Sequence, residues 1–586
     1  MRFGRPIAVA LSALVLMAPN ASQVWAALQP LDLDRETVVP QPDLLVRRAQ
    51  QALSKLGLYL GPEDGRLNDA TATAVHIFRR SNDLGDTFSV DKELVAKLEY
   101  AVGVRRLMRQ LENARAESIQ DARSLLLAHP ATRDLIQNGD KVEAADPTRD
   151  ANACFDNPTA LCLLTEASES AKAIAKAELR DWALGEILIA EARAGLGERA
   201  MQTAARIGDP RLIITALRDI SEAQAAAGHH GAAIAAADII PDAEKRADAR
   251  AAIAGIQLRR GDAKDAVETA GQLLHDLDGV TDLLKRIDYR TRAAVILAGS
   301  GRREQAEEEL SIAESDAREL ERDSSRSAGL RHVASALANM EETARALDLL
   351  ESVSSPSDKI PVLMSAAEAQ ARAGDAASAL ATASSIADVR YRAVVLGRIA
   401  SAQAEAGRLE DADATLDIAL AAIDRIDRPY ARSYAISRIA LALSTLYDWS
   451  DTDTEAKSAG RRATMKRAVE TANLIDDRRL RAHTLWLIAD RQRAVKDGGW
   501  EDTERLAIKA TEEVVGNLSR VWMYADLAEG HALKGENDAA WRAFDRGLAL
   551  ARETENTWSR ARTLAKLAGT LIQLVDPGRG RETPEP

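Results

Sequence analysis

The chain has 586 residues, 46% of them hydrophobic and only 4% aromatic, enough for several domains or one long repeat array. Seventy-seven basic residues face 90 acidic ones, a formal charge of −13, and the two signs are interleaved as on solvated helix faces rather than gathered into a patch. Such a chain repels nucleic acid and anionic lipid. Beyond the extreme N-terminus no run approaches the ~20 apolar residues of a membrane helix.

The N-terminus is laid out as an export signal. Arg2 and Arg5 precede an apolar run from Ile7 to Met17, and Val24-Trp25-Ala26 offers a small-residue cleavage site. Residues 1–26 are therefore read as a signal peptide, and the mature chain as periplasmic or otherwise exported from Ala27. Without Arg2 and Arg5 the mature chain carries 75 basic residues against 90 acidic, or −15. Residues 27–43, with Pro30, Pro40 and Pro42, read as an extended leader. In an oxidising compartment Cys154 and Cys162 are read as a local disulfide around Asp156-Asn157-Pro158. Two thiols with no His nearby do not make a metal site, and the Cys-x-x-Cys spacing of a redox pair is absent.

From Leu44 the pattern turns helical. Val46 to Leu56 is an amphipathic helix stopped by Gly57, Gly61-Pro62-Glu63-Asp64-Gly65 is a tight turn, and Asp69 to Arg80 and Asp91 to Leu98 make two further helices. Gln50, Leu53, Leu56-Gly57, Tyr59, Gly61-Pro62, Asp64-Gly65, Thr71, Ala74-Val75 and Phe78 follow the order and spacing of the peptidoglycan-binding domain of secreted bacterial cell-wall proteins, which residues 44–98 resemble. The resemblance implies a small three-helix domain that grips cell-wall glycan or stem peptide, with Gln50, Tyr59, Asp64, Gly65, Thr71 and Phe78 as its site residues. Asn68 stands where the family usually has a turn glycine, and Arg79 where it usually has glutamine.

Residues 101–164 read as a helical linker, Val104 to Leu127, followed by a polar stretch and the cysteine loop. The array comes next, from 165 to 575. Gly195, Gly228, Gly261, Gly301, Gly374, Gly407 and Gly535 each have an alanine five residues on, namely Ala200, Ala233, Ala266, Ala306, Ala379, Ala412 and Ala540. Their spacings of 33, 33, 40, 73, 33 and 128 leave room for a hidden copy near Asn339-Met340 and an irregular one around Gly499. A glycine takes the left-handed turn that ends one helix, and a small alanine lets the next lie close. One such hairpin cannot bury its apolar stripe alone, so repetition at this period signals a helical solenoid. The glycine-to-alanine offset resembles the tetratricopeptide repeat, with HEAT-type repeats as the rival. The expected fold is thus all-α: a small three-helix peptidoglycan-binding-like domain, then a right-handed α-solenoid of tetratricopeptide-like hairpins with an inner groove. Residues 576–586 are expected as a disordered tail.

Catalytic patterns are wanting. Gly195-Leu-Gly197-Glu-Arg-Ala200 follows a helix, not the strand a dinucleotide turn needs. Gly530 to Glu536 has a carboxylate where a phosphate loop needs lysine. No cysteine is followed by a transpeptidase-type Ser-His-Gly, and no Glu-Ser by the sequel of a glycan lyase. Eight scattered histidines suggest no zinc centre. Five of eight tryptophans crowd residues 486–558, and Trp486, Trp522 and Tyr524 are the candidates for partner contact, weighed against plain core filling. The reading is a non-enzymatic periplasmic scaffold without cofactor or metal, held to peptidoglycan by its first domain and recruiting an unidentified protein through its array. The alternatives are a wall-modifying enzyme with a site no motif reveals and a soluble adaptor whose first domain has lost wall binding.

Overall fold

The computed structural model describes residues 42–137, 144–146, 148–149, 152–446 and 455–575, and all its regular elements are helical. The expected signal peptide, the expected leader up to residue 41, Asn138-Gly139-Asp140, residues 447–454 and the expected tail from 576 lie outside the described residues. The chain divides into two compact units, Met1–Gln120 and Asp121–Pro586.

The first unit is built on α1 (Leu44–Lys55), α2 (Asp69–Ser81) and the start of α3 (Lys92–Ala128). Asp43 caps α1 by accepting the Leu45 N–H at 2.6 Å, and Asn68 caps α2 by accepting that of Thr71 at 2.8 Å. Leu53, Tyr59, Val75, Phe78, Leu94 and Leu98 share one core. The sequence predicts a break after Leu98 and a separate linker helix. Instead α3 runs on for 37 residues. Only Gly103 interrupts that stretch, and a lone glycine costs about 1 kcal/mol, too little to end a helix that has no proline or cap there.

The second unit opens with α4 (Pro130–Gln137), α5 (Asn152–Asp156) and α6 (Ala160–Lys172). Antiparallel pairs follow: α7 (Ala177–Arg193) with α8 (Gly197–Ala204), α9 (Pro210–Ala226) with α10 (His230–Asp238), α11 (Ala243–Arg260) with α12 (Ala263–Asp276), and α13 (Leu283–Gly299) with α14 (Arg303–Glu319). Next come α15 (Asp323–Asn339) with α16 (Thr343–Leu350), α17 (Pro356–Arg372) with α18 (Ala376–Ser385), and α19 (Val389–Glu405) with α20 (Leu409–Ala422). The run finishes with α21 (Pro429–Thr445) and α22 (Glu455–Asn473), α23 (Arg478–Ala494) and α24 (Trp500–Glu512), α25 (Asn517–Leu533) and α26 (Asn537–Arg552), and lastly α27 (Thr557–Val575).

The glycine and alanine positions do what their spacing predicts. All seven anchor glycines have positive φ, and the seven alanines are fully or almost fully buried. The hidden copy is real: Glu341, at φ 66°, takes the left-handed place. The irregular copy is placed differently. Lys496 (φ 57°) makes its turn, while Gly499 has an ordinary φ of −81°. A further device recurs near the start of the first helix of a pair, where an arginine reaches back to a carbonyl six residues earlier. Arg246 binds Ile240 O at 2.7 Å, Arg326 binds Leu320 O at 2.9 Å and Arg520 binds Val514 O at 2.9 Å, and Arg392, Arg481 and Arg560 do the same.

Each first helix of a pair also packs closely on the first helix of the next pair, whereas the second helices of neighbouring pairs meet more sparsely, through ion pairs between long side chains such as Arg345 to Glu307 and Arg546 to Glu504. Helices that touch all round lie on the inside of a curve, so α7, α9, α11 and their successors form an inner layer. The array closes on itself. Among the described residues no helix follows α27, and it packs on α7 as the next inner helix and on α6 as its outer one. Leu163 of α6, Ile187 of α7 and Leu564 and Leu571 of α27 belong to one continuous apolar core. α6 is therefore part of the array, which begins before residue 165, and an eleventh pair is made from the two ends of the unit.

Candidate binding surfaces

In the first unit, residues matched by the wall-binding resemblance converge on one turn. The Gln50 side-chain oxygen accepts the Gly65 N–H at 2.8 Å, and its amide donates to Arg66 O at 2.9 Å and Thr71 Oγ1 at 3.1 Å. The Tyr59 hydroxyl donates to Pro62 O at 2.9 Å. Gly65 must be glycine: its φ is 79°, and a Cβ there would stand 2.9 Å from Asp43 O. Asp64 accepts the Arg66 N–H at 2.9 Å, and that bond foremost holds its carboxyl below the usual range. These residues frame the turn more than they face a ligand. Gln50, Tyr59, Gly65, Thr71 and Phe78 are buried, and Asp64 is half-buried. Leu60, fully exposed, and Leu67, 55% exposed, stand on the loop's outer side. Of the two departures from the family pattern, Asn68 serves as the α2 cap at a φ of −120°, which needs no glycine. Arg79 ties the following loop together through Asp91 Oδ2 at 2.7 Å and Ser89 O at 3.1 Å.

The aromatic candidates separate. Trp486 is 1% exposed, donates its indole N–H to Thr511 Oγ1 at 3.0 Å and packs against Tyr524, itself 6% exposed. Both are core residues, so neither offers a partner a surface. Trp486 and Trp522 do not occupy the same position in their repeats. With the turn at Lys496, Trp486 lies 10 residues before its anchor (496 − 486) and Trp522 lies 13 before Gly535 (535 − 522). Trp522 is partly exposed and belongs to a cluster that no local pattern reveals. The Arg562 guanidinium lies 4.3, 5.1 and 4.8 Å from the ring centres of Trp182, Trp522 and Trp558, and Arg562 pairs with Glu186 at 3.0 Å. This is where α27 meets α7. Around Arg562 the clustered rings, Trp182 edge-on to Trp558, and the ion pair fasten the two ends together.

On the outer side of the same junction the Cys154–Cys162 disulfide joins α5 to α6. Phe155 lies 5.5 Å from both the Arg552 and Arg560 guanidiniums, and Asp156 pairs with Arg552.

Ion pairs also bridge neighbouring inner helices. Asp248 on α11 takes Arg218 of α9 at 3.1 Å and Arg292 of α13 at 3.0 Å, and Asp288 of α13 takes His332 of α15 at 2.9 Å. Lys566 of α27 meets Asp526 and Glu529 of α25 at 3.0 and 2.8 Å. A cavity of about 580 Å³ opens on this wall, lined by α7, α9, α11, α13 and α15. Its floor is made of small and branched residues such as Ala223, Ala252, Gly255 and Ile256, and Arg193 and Asp219 stand at its sides. Burial pushes the Asp219 carboxyl up to about 6, with Glu222 adding to the effect and Arg218 opposing it. Among the described residues no group of three or more His, Cys, Asp or Glu is arranged to hold a metal ion, and no helix is long and apolar enough to cross a membrane.

No family model matches the chain, and no curated protein matches it either. Among solved structures it is similar to Ton1535 from Thermococcus onnurineus NA1, at 17% identity and a TM-score of 0.25, over 56% of this chain and 94% of that one.

Proposed function

We propose that the protein is a non-catalytic, exported scaffold. Its first unit binds the peptidoglycan wall, and its helical array, tetratricopeptide-like with a right-handed course, recruits a protein partner along the inner wall. The observation that carries the wall-binding half is the Gln50 network, because it makes the matched residues a single braced turn rather than a string of letters in the right order. Leu60 and Leu67, exposed on that turn, are the side chains best placed to touch a ligand. A tether of this kind raises the partner's effective concentration at the wall without adding a contact to it.

Co-sedimentation with purified sacculi tests this reading. The chain from Ala27 is expected in the pellet, a chain lacking residues 44–98 in the supernatant, and Leu60→Asp with Leu67→Asp mostly in the supernatant with unchanged helix content. If the chain from Ala27 stays in the supernatant, wall binding is wrong and a soluble adaptor is left. Soluble muropeptides released during the incubation would instead assign an enzyme.

A further inference from the structure

We propose that the inner-wall cavity between α7 and α15 holds the C-terminal end of an extended peptide, with a lysine ammonium on Asp219 and the terminal carboxylate on Arg193. This rests on the reading of the inner wall as the partner surface. The starting point is which charges of the wall are already neutralised. Asp248 is shared by Arg218 and Arg292, Asp288 is met by His332, and Glu186 by Arg562. Asp219 and Arg193 remain, both lining the cavity, and among the described residues neither makes a side-chain hydrogen bond or ion pair. A half-buried charge without a partner is costly, and an opposite charge brought by a ligand recovers that cost. Two such groups of opposite sign in one cavity call for a ligand carrying both signs.

Their separation restricts the ligand further. Arg193 is the last residue of α7, and Asp219 is the tenth of α9, which lies alongside. Seven residues of rise amount to ~10 Å along the wall. A lysine side chain followed by one extended residue spans about that distance to a free carboxylate. Ala223, one turn from Asp219 on α9, and Ala252 and Gly255 on the next inner helix, α11, line the cavity with residues low enough for a backbone to lie on them. A volume of about 580 Å³ fits a few residues and not a folded domain.

Calorimetry of the full chain with Ala-Ala-Lys-Ala tests the assignment, beside the same peptide with Gln for Lys and with its C-terminus amidated. The expected result is at least tenfold tighter binding of the free-acid lysine peptide than of either control. Asp219→Asn should erase the preference for Lys over Gln, and Arg193→Gln the preference for acid over amide, with melting curves confirming that both variants fold. Equal binding of the three peptides, or preferences that survive both substitutions, overturns the inference. In that event Ala252→Trp, which fills the cavity, separates the two readings. If the bulky residue abolishes binding of all three peptides, the inner wall stands as a partner surface and only the charge assignment falls. If no peptide binds at all, the assignment falls and the partner reading loses its cavity.

Discussion

Two side chains whose pKa is raised for different reasons show how the interior of the array sets its own chemistry. Asp219 has a folded pKa of about 6, against 3.8 for an ordinary aspartate. Between those values the folded chain holds a proton that the unfolded chain has released, so its contribution to stability falls as pH rises through that window. Asp219→Asn should therefore stabilise the protein at pH 7.5 by roughly 1–2 kcal/mol, allowing for solvent screening, and by much less at pH 4.5. Thermal melts at the two pH values check this, and an equal gain at both would refute it. The gain in stability would accompany a loss of ligand, as is common where a charge is kept for binding. His531 shifts the same way from a different cause. Burial depresses its pKa, but the hydrogen bonds that its ring donates to Asp490 at 3.0 Å and Glu536 at 2.6 Å outweigh that, and the net shift is upward. Its contribution is complete below the ordinary histidine value and is lost as pH rises through the folded one. His531→Gln should cost roughly 2–4 kcal/mol at pH 6 and distinctly less at pH 9, as read from urea denaturation at each pH.

Among the elements, the hairpin turns carry the most specific information. Seven turns use glycine in the left-handed conformation, but Glu341 and Lys496 adopt it with a Cβ, which costs about 1 kcal/mol. Glu341→Gly and Lys496→Gly should each stabilise the chain by roughly 0.5–1 kcal/mol, less the entropy that glycine adds to the unfolded state. Equilibrium unfolding measures this directly, and a loss of stability in both would mean that their side chains do more than tolerate the turn. The returning arginines are a second kind of turn lock. Each donates a charged hydrogen bond to a carbonyl at the end of the preceding helix or just past it, where no helical partner remains. Arg326→Met is expected to cost roughly 1–2 kcal/mol.

At the level of the second unit, closure is the organising fact. An open solenoid frays from its ends, because a terminal repeat has only one neighbour. Here the terminal helix α27 has α25 and α26 on one side and α6 and α7 on the other. The Cys154–Cys162 disulfide holds α5 on α6 while Phe155 and Asp156 engage Arg552 and Arg560, so the cross-link acts as a latch on the junction. Hydrogen exchange should find α27 as well protected as α15 in the oxidised protein. Reduction, or Cys154→Ser, should raise exchange in α6 and α27 first and leave α15 and α16 nearly unchanged. Exchange that rises evenly around the array would show that the disulfide stabilises the whole unit and not the junction.

The sequence by itself determined the local grammar of this protein. The Gly-to-Ala offset announced the hairpins, since both residues act through backbone geometry and close approach within a few turns, and all seven copies take the conformation their spacing implies. The hidden turn at Glu341 was legible from period alone, and the cysteine pair from its short spacing. The returning arginines were there to be found by aligning the first helices with one another. What only the tertiary structure decided joins residues far apart in the chain. The pairing of α27 with α6, the Trp182–Trp522–Trp558 group around Arg562, the ion pair to Glu186 and that of Arg552 with Asp156 link positions up to 396 residues apart. Closure depends on the small rotation between successive hairpins summed around the array, and no single repeat encodes that sum. The same holds for Trp486 and Tyr524: composition marked them as aromatic, but burial against Thr511, set by how neighbouring hairpins meet, made them core.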